Sequence, residues 1–378
     1  MTKRITPGQI KKTNRQQIYT YIYNHRKVSQ QEIAYGLHLS RPTVATNLAE
    51  MEEDGLIYKN GLLDSDQIGR KAAAYSVAAA YRIAIGVELT RRQVKIIAVD
   101  LYGKKIRRVV LDIPYRNLEA YYKQVCDGLL SFIEELPVDD RAILGIGFAM
   151  QGLVSADGTT VTYGVILDCT GLTIDVFTRW LPYPCTFIHD PDGAALSELW
   201  SSPELTDAVY LSLSRHLGGS MIIDRAIRAG KHGHNATFEH IRAKPRGEPC
   251  YCGKRGCWET VCSMEALLGD SEPEPFFEAV RQGEPEAARR WQEYLLSLGK
   301  LIAGLHLLYD ADFILGGHLA PFFREEDIRT LYEEIRRITP FQEEQDYILI
   351  SKMPSHNITI GAALPYIRRF LEDIEPET

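Results

Sequence analysis

The spacing of apolar residues divides the chain into a short helical head and a longer body that contains strands. Near the amino terminus, Ile18, Ile22 and His25 lie at helical spacing, which predicts a helix that begins near Asn14. The stretch VSQQEIAYGLHLS predicts a second, shorter helix with Ser29 as its N-cap. The inward-facing positions of this second helix are Ile33, Ala34 and Leu37.

A third helix is predicted in RPTVATNLAEMEEDG, with Ser40 as its cap and Pro42 in its first turn. Its core-facing positions are Val44, Leu48 and Met51. The segment that follows, GLIYKNGLLDSDQIGRKAAAYSV, has two apolar strand-like runs around a polar turn, as the wing of a winged helix-turn-helix has. The head is therefore predicted to be a winged helix-turn-helix that binds DNA.

The third helix would read bases, because its first turns carry short polar or cationic side chains of the kind that reach into a major groove. The other interpretation of this face is a solvated surface in a three-helix interaction module, and the predicted wing favours DNA. The residues predicted to contact DNA are Arg41, Thr43, Thr46, Asn47, Arg70 and Lys71.

The body begins near residue 81 and repeats one pattern of strands. The stretch YRIAIGVELTRRQVKIIAVDLYGKKIRRVVLDI predicts three strands joined by polar turns, and DAVYLSLSRHLGGSMIIDRAIRAG is a looser echo of it. Helical stretches follow each meander. This order predicts a duplicated α/β body with a cleft between its halves, which is a common place for a small-molecule site.

Charge is distributed unevenly along the 378 residues, whose formal net charge is −7. Residues 1–80 carry 11 Lys and Arg against 7 Asp and Glu, net +4, and the remainder carries 32 against 43, net −11. A basic head on an acidic body agrees with DNA binding by the head alone. The amino terminus shows no apolar run of the signal-peptide kind, so we expect a cytoplasmic protein without a membrane partner.

Three of the seven cysteines lie within CYCGKRGC at 250–257. In a reducing compartment such a cluster binds metal more often than it forms disulfides. His240 upstream supplies a fourth ligand of the type that tetrahedral zinc prefers, so we predict a structural Zn²⁺ site. Its ligands are His240, Cys250, Cys252 and Cys257, and the alternative is a set of ordinary free thiols.

The zinc loop, together with HDPDGAALSE and DADFILGGHLA, resembles the ROK family, which unites sugar-responsive repressors with sugar kinases. The resemblance implies an actin-like, ribonuclease-H-like body of two lobes behind the winged helix, as in the xylose and N-acetylglucosamine repressors of the family. The expected domains are 1–80 for DNA binding, 81–188 for the first lobe, and 189–355 for the second lobe with the zinc loop and an oligomer interface. A C-terminal helix at about 356–378 is expected to pack back on the first lobe.

The resemblance also implies ligand-binding residues in the cleft, namely His189, Asp190, His240 and Glu259. Asp190 matches the carboxylate that serves family kinases as a base, and its other interpretation is a helix cap. The family pattern Glu-x-Gly-His corresponds here to Thr237 through His240, so Thr237 replaces a Glu that binds sugar.

The turns that would hold ATP phosphates in a kinase carry bulky residues here. Arg91 and Arg92 lie in the first turn, and Arg215 and His216 lie in the second. We therefore interpret the chain as a repressor without enzyme activity, which binds an inverted-repeat operator as a homodimer or dimer of dimers and which a sugar in the cleft releases. A sugar kinase and a zinc-sensing regulator are the two alternatives.

Overall fold

The structure is a computed structural model that describes residues 6–62, 72–269, 271–341, 347–353 and 356–374. Its head has three helices and a small sheet with strand order β1-β3-β2. The elements are α1 Pro7–His25, β1 Val28–Ser29, α2 Gln30–Gly36, α3 Arg41–Glu53, β2 Ile57–Leu62 and β3 Ala73–Val77. The antiparallel pair β2 and β3 forms the predicted wing, and Arg70 and Lys71 lie outside the described residues.

The predicted helix caps of the head are confirmed. Ser29 accepts a hydrogen bond from the backbone N–H of Glu32, and Ser40 accepts one from Thr43. The first helix begins at Pro7 and not near Asn14, because Thr6 forms a capping box with Gln9. Local side-chain capping thus extends this helix beyond its apolar stripe.

Asn47, one of the residues predicted to contact DNA, does not lie on the exposed face of the third helix. Its side chain is 4% exposed and packs among the residues of the head's core, and its amide donates to the carbonyl oxygen of Thr43 at 2.9 Å. Positions 44, 47, 48 and 51 share one face of a helix, so the geometry that buries Val44 also buries Asn47.

The first lobe is built on a five-stranded sheet with order β10-β7-β4-β5-β6. Three strands form an antiparallel meander, and β7 and β10 are added parallel to its first strand. The strands are β4 Ile83–Leu89, β5 Val94–Asp100, β6 Lys105–Leu111, β7 Ile143–Met150 and β10 Cys185–His189, with β8 Leu153–Val154 and β9 Val161–Tyr163 as a separate pair. The predicted meander is therefore confirmed.

The second lobe repeats this topology in a sheet with order β13-β12-β11-β14-β15. Again a meander is extended by two parallel strands on the other side of its first strand. The strands are β11 Ala208–Leu213, β12 Leu217–Ile223, β13 Ala226–Ile227, β14 Asp312–Gly316 and β15 Ile348–Ile350. Two lobes of one topology confirm the duplicated body.

Helices cover both sheets and join the lobes. Each lobe has its own apolar core, and a further core joins the head to the first sheet. The helices of the body are α4 Glu119–Glu134, α5 Asp175–Thr178, α6 Asp190–Ser201, α7 Glu259–Cys262, α8 Met264–Leu268, α9 Pro273–Arg281, α10 Pro285–His306, α11 Glu325–Ile338 and α12 Asn357–Glu372. In the described ranges, no helix combines the length and the apolar character needed to cross a bilayer.

The C-terminal helix α12 lies directly on β4, β7 and α6 with almost no side chain between the backbones. A Cβ atom at Gly86 would overlap the carbonyl oxygen of Thr359, and one at Gly147 would overlap that of Ala362. A Cβ atom at Gly361 would likewise overlap the carbonyl oxygen of Gly193 in α6. Glycine is required at these positions because two backbones meet there.

Candidate ligand cleft and metal centre

A cleft with about 600 Å³ of empty space, part of it open to solvent, lies where the ends of several strands and helices of the body meet. It is bordered by the C-terminal ends of β7 and β10, the first turn of α6, the β11–β12 turn and a short 3-10 helix, Phe238–His240. Polar and aromatic side chains line this concave space, as is common in small-molecule sites.

Asp190 and His189 lie together at the boundary between β10 and α6. Asp190 is the first residue of α6, and His189 occupies the N-cap position, so the structure does not make Asp190 the cap. The Nε2 atom of His189 lies 3.6 Å from Oδ1 of Asp190. Burial raises the pKa of Asp190 to about 8, with a further contribution from Glu88, and burial lowers the pKa of His189 to about 4.

The four predicted metal ligands come together at one edge of the cleft. The ligand atoms of His240, Cys250, Cys252 and Cys257 all lie within 4.8 Å of one another. The Sγ atoms of Cys252 and Cys257 are 3.8 Å apart, as are Sγ of Cys250 and Nδ1 of His240. Thiolates bound tetrahedrally to zinc at about 2.3 Å would be separated by about 3.8 Å, so the spacing fits a metal of this kind.

Backbone geometry forms the metal loop. Gly253 and Gly256 have φ of 79° and 75°, a region that few other residues adopt readily. A Cβ atom at Gly256 would also overlap the carbonyl oxygen of Lys244, so only glycine fits there. The loop brings the Tyr251 ring to 5.2 Å from the His240 ring, where it lines the cleft.

Glu239 is a cleft residue that the sequence reasoning missed. Its side chain is 8% exposed, Oε1 lies 3.7 Å from Nε2 of His240, and Oε2 is buried without a hydrogen-bond partner in the described part of the protein. Burial raises the pKa of Glu239 to about 8. The position of Glu239 next to His240 could have identified it as a cleft residue. In the same way, the position of Tyr251 between two cysteines could have identified that residue. Tyr163, which also lines the cleft, gave no signal.

Glu259 lies behind the cleft and is not one of its lining residues. One carboxylate oxygen accepts the backbone N–H of Leu217 at 2.8 Å, and the other lies 2.8 Å from Nδ1 of His216. Both oxygens are therefore engaged within the protein, and it is His216 that reaches the cleft. A direct contact between Glu259 and a ligand stays a prediction.

The third helix of the head presents Arg41 and Thr46 to solvent, and Thr43 is half-buried. Thr43 and Ser40 share a hydrogen bond of 2.8 Å between their hydroxyl oxygens, and the Thr46 hydroxyl donates to the carbonyl oxygen of Pro42. Of the predicted DNA-contacting residues on this helix, Arg41 and Thr46 thus form its accessible polar surface.

Residues at the two turns that would hold nucleotide phosphates in a kinase make contacts within the protein itself. In the first turn the Thr90 hydroxyl donates to the carbonyl oxygen of Gln93, and Arg91 donates to that of Ile166. Gly218 and Gly219 follow the second turn and lie in β12, where a Cβ atom at Gly218 would lie 2.8 Å from Pro191 and one at Gly219 would collide with Phe238. Close packing therefore accounts for these glycines.

A continuous set of contacts connects the cleft to the head. Helix α6 starts at Asp190 in the cleft, and its Ser197 hydroxyl donates to the carbonyl oxygen of Asn357 in α12 at 2.6 Å. At the other end of α12, the Gln16 side chain of α1 donates to the carbonyl oxygen of Leu371 and accepts from the N–H of Ile374. Helices α6, α12 and α1 thus form one packed series.

The rings at the head–body junction add to this contact. Tyr23 of α1 stacks on Tyr102 of the first lobe at 4.6 Å between ring centroids, and its hydroxyl donates to the carbonyl oxygen of Leu101. The guanidinium of Arg26 lies 3.5 Å from the centroid of the Tyr102 ring. The head is therefore held against the body by apolar, aromatic and hydrogen-bond contacts together.

These features define a class of protein: a winged helix joined to a two-lobed, actin-like body that has a ligand cleft and a candidate metal centre. Comparison with known families gives the same two parts, since a winged helix-turn-helix DNA-binding profile matches residues 12–58 and the ROK family profile matches residues 84–367. The chain belongs to the ROK family.

Relatives and solved structures include both branches of this family. The chain is 26% identical over 262 residues to the DNA-binding transcriptional dual regulator NagC of Escherichia coli, covering 68% of this chain and 64% of the regulator. It is 22% identical over 380 residues to the xylose repressor of Caldicellulosiruptor bescii, covering 93% and 94%. The chain thus spans less than two thirds of the first regulator and nearly all of the second.

Among solved structures, a ROK family transcriptional regulator described as a homolog of the E. coli MLC protein has a TM-score of 0.74 at 20% identity, covering 96% of this chain and 97% of that one. A ROK family glucokinase from Streptomyces griseus, in complex with glucose and AMPPNP, has a TM-score of 0.65 at 24% identity, covering 75% and 98%. The fold that includes the head is shared with the regulator.

Proposed function

We propose that this chain is a sugar-responsive transcriptional repressor that binds operator DNA through its head and a sugar in its cleft. The observation that carries the proposal is the packed series α6, α12 and α1, because it joins Asp190 at the cleft to the helix-turn-helix. A ligand that prefers one arrangement of this series by about 1 to 3 kcal/mol can change DNA affinity by up to that amount.

The head supplies the DNA-binding part of this function. Arg41 and Thr46 lie on the accessible face of α3, the helix that enters the major groove in proteins of this type. One head reads one half-site, so an inverted-repeat operator requires a homodimer or a dimer of dimers. One protein to which the chain is similar is named a xylose repressor, which agrees with a role in repression.

The cleft supplies the sugar-binding part. Carboxylates and imidazoles are the acceptors that a polyol needs, and His189, Asp190 and His240 all line the cleft. The rings of Tyr163 and Tyr251 border the same space, and aromatic faces pack well against apolar C–H groups. These groups support binding of a sugar and require no chemical step.

The metal centre is proposed to hold structural Zn²⁺. Four protein ligands close the coordination shell, as in structural sites, so the ion would shape the loop and would supply no catalysis. The Nδ1 atom of His240 faces the cysteines while Nε2 lies on the side of Glu239. The metal would therefore hold the imidazole with its second nitrogen available at the cleft.

Two observations argue against the kinase alternative. In the first candidate phosphate turn the Thr90 N–H already donates to the carbonyl oxygen of Gln93, and the two glycines after the second turn lie in β12 packed against Pro191 and Phe238. A phosphate-binding turn needs free N–H groups that a phosphate can approach closely. The zinc-sensing alternative would require a metal that exchanges readily, which a closed shell of three thiolates and one imidazole does not favour.

The function is tested with two assays on the full chain. Selection of bound duplexes from a random-sequence library is expected to enrich an inverted repeat, and one sugar from a monosaccharide panel is expected to weaken that binding by about 5- to 150-fold. A coupled assay with ATP, magnesium and the same sugar is expected to show no ADP release. Sugar-dependent turnover near about 1 per second would instead identify an enzyme.

Replacing Arg41 and Thr46 together with Ala is expected to lower discrimination between operator and random DNA by about 10- to 100-fold, because a good base contact contributes about 1 to 3 kcal/mol. Weak, salt-sensitive binding should remain, since the other cations of the head still contact phosphates. Glu53→Gln, at the other end of the same helix, serves as the matched control. Unchanged discrimination by the double variant in a mobility-shift competition would mean that α3 does not read bases.

A further inference from the structure

The middle of the solvent-facing side of α3 is apolar. One side of the helix packs into the head through Val44, Asn47, Leu48 and Met51. At 3.6 residues per turn, the opposite side presents four exposed residues, which are Pro42, Ala45, Thr46 and Ala49. The Thr46 hydroxyl donates to the carbonyl oxygen of Pro42 at 3.1 Å, so its hydrogen is engaged within the helix. This face therefore offers mostly methyl and methylene groups.

The polar side chains of α3 that could read bases are mostly engaged within the head. An Asn side chain can form two hydrogen bonds to adenine, but Asn47 is buried and donates to the carbonyl oxygen of Thr43 at 2.9 Å. The Thr43 hydroxyl shares a hydrogen bond of 2.8 Å with the hydroxyl of Ser40. Arg41 remains as an exposed donor at the amino-terminal end of the helix.

Carboxylates limit the apolar face at its other end. Glu50 lies 2.8 Å from Nζ of Lys11, and Glu52 lies 2.8 Å from Nζ of Lys59. These two carboxylates, which could otherwise accept a hydrogen bond from cytosine, are thus paired within the head. Glu53 is exposed in the last turn, where the phosphates of DNA would repel its charge. The part of α3 that can lie against bases therefore ends near Ala49.

Thymine is the base that matches this surface. Its C5-methyl group is the apolar group on the base edges of the major groove, and Ala side chains and Thr methyl groups pack against it. Ala45 and Ala49 are separated by about 6 Å along α3, which is close to two base-pair steps of about 3.4 Å. We propose that Ala45 and Ala49 select the operator half-site by packing against thymine methyl groups in the major groove.

The size of these side chains and the charge of the head both favour this partner. Alanine lets the helix backbone approach the base edges closely, whereas a longer side chain at either position would hold the helix away from them. The head has a net charge of +4 over residues 1–80, from 11 Lys and Arg against 7 Asp and Glu. Attraction to phosphates therefore brings this apolar face to DNA in preference to an uncharged protein surface.

The proposal rests on the proposed function, because it names the bases and the residues through which the same head selects its operator. Its test uses the full chain and the operator that selection from a random library yields. Each thymine of a half-site is replaced in turn with deoxyuridine, which removes the methyl group and keeps every hydrogen-bonding group of the base. We expect a loss in affinity of about 3- to 5-fold at each of two thymines per half-site.

The contacts are assigned by combining these duplexes with Ala45→Gly and Ala49→Gly. Each variant is expected to bind the thymine and deoxyuridine duplexes almost equally at the one position that its missing methyl group contacted, and to discriminate as the wild type does at the other. A helix weakened by glycine would lower affinity for both duplexes alike, so the ratio between them reports the contact. Ala120→Gly, at an exposed alanine of α4 in the body, is the matched control and should keep every ratio of the wild type.

The outcomes separate this inference from the proposed function. An enriched operator whose half-sites tolerate deoxyuridine at every thymine would overturn the inference and leave the repressor function in place. The same result would follow if both glycine variants kept the wild-type ratios at all positions, since another part of the protein would then contact the methyl groups. Failure to enrich any operator would contradict the proposed function and the inference together.

Discussion

Replacing Cys252 with Ser is expected to lower both the zinc content of the protein and its thermal stability. The loop brings the four proposed ligands together and contains two positive-φ glycines, so a metal bound there would contribute directly to its folding. Loss of one thiolate leaves an incomplete shell and a loosened loop. We expect a fall in Tm of about 5 °C or more for a body of this size.

The measurement is elemental analysis combined with thermal unfolding of protein purified without chelator. Cys185→Ser is the control, because Cys185 is a free thiol on β10, outside the cluster. This variant should keep its full zinc content. A wild-type protein with far less than one zinc per chain would contradict the metal assignment, and with it the proposed orientation of His240.

Asp190→Asn is expected to weaken sugar binding and at the same time to stabilise the sugar-free protein. Above about pH 8, where Asp190 is ionised, its carboxylate accepts hydroxyl hydrogen bonds more strongly than an amide does, so the loss in binding measured there is about 1.5 to 3 kcal/mol. The gain in stability follows from burial, which raises the pKa of Asp190 to about 8. A gain of roughly 2 to 4 °C in Tm near pH 8 is the expected scale.

The sign of the pH dependence follows from this raised pKa. The folded protein holds the proton of Asp190 up to about pH 8, whereas the unfolded chain releases it near the ordinary value of 3.8. Stability from this group is therefore present at low pH and is lost as pH rises through that window. The difference in Tm between Asp190→Asn and the wild type should widen from about pH 4 to about pH 8.

Asp207 gives a control of opposite sign. Hydrogen bonds, the first from the Asp224 backbone N–H, lower the pKa of Asp207, so Asp207→Asn should destabilise the protein at neutral pH. Thermal unfolding across pH and calorimetric titration of the sugar measure both variants. An Asp190→Asn protein that binds sugar normally, or that melts earlier than the wild type at pH 8, would contradict the role given to this carboxyl group.

The predictions that succeeded rest on local chemistry. Ser29 and Ser40 identify helix starts because a hydroxyl before an apolar stripe satisfies free backbone N–H groups. The spacing of Cys250, Cys252 and Cys257 brings three thiols together within one tight loop. The two meanders are also local, since their strands are consecutive in the chain.

The predictions that failed, and the residues that were missed, depend on contacts between distant parts of the chain. In one case the polarity of a side chain was given more weight than its position on the helix. Asn47 shares the face of Val44 and Met51, and its helical position outweighed its polar side chain. Glu239 was passed over because an acidic residue usually faces solvent, and only the fold shows that its oxygen is enclosed. The parallel strands β10 and β15 join their sheets through contacts distant in sequence, which no local pattern reveals.

The close approach of backbones around α12 has a mechanical consequence. Ordinary packed interfaces absorb small displacements because side chains change rotamer. At Gly361 there is no side chain to adjust between α12 and α6, and at Gly86 and Gly147 there is none between α12 and the strands β4 and β7. Such a junction is therefore stiff. A displacement of α6 would therefore move α12 and the first sheet together, and a single methyl group added at any of these glycines would change the resting position of α12.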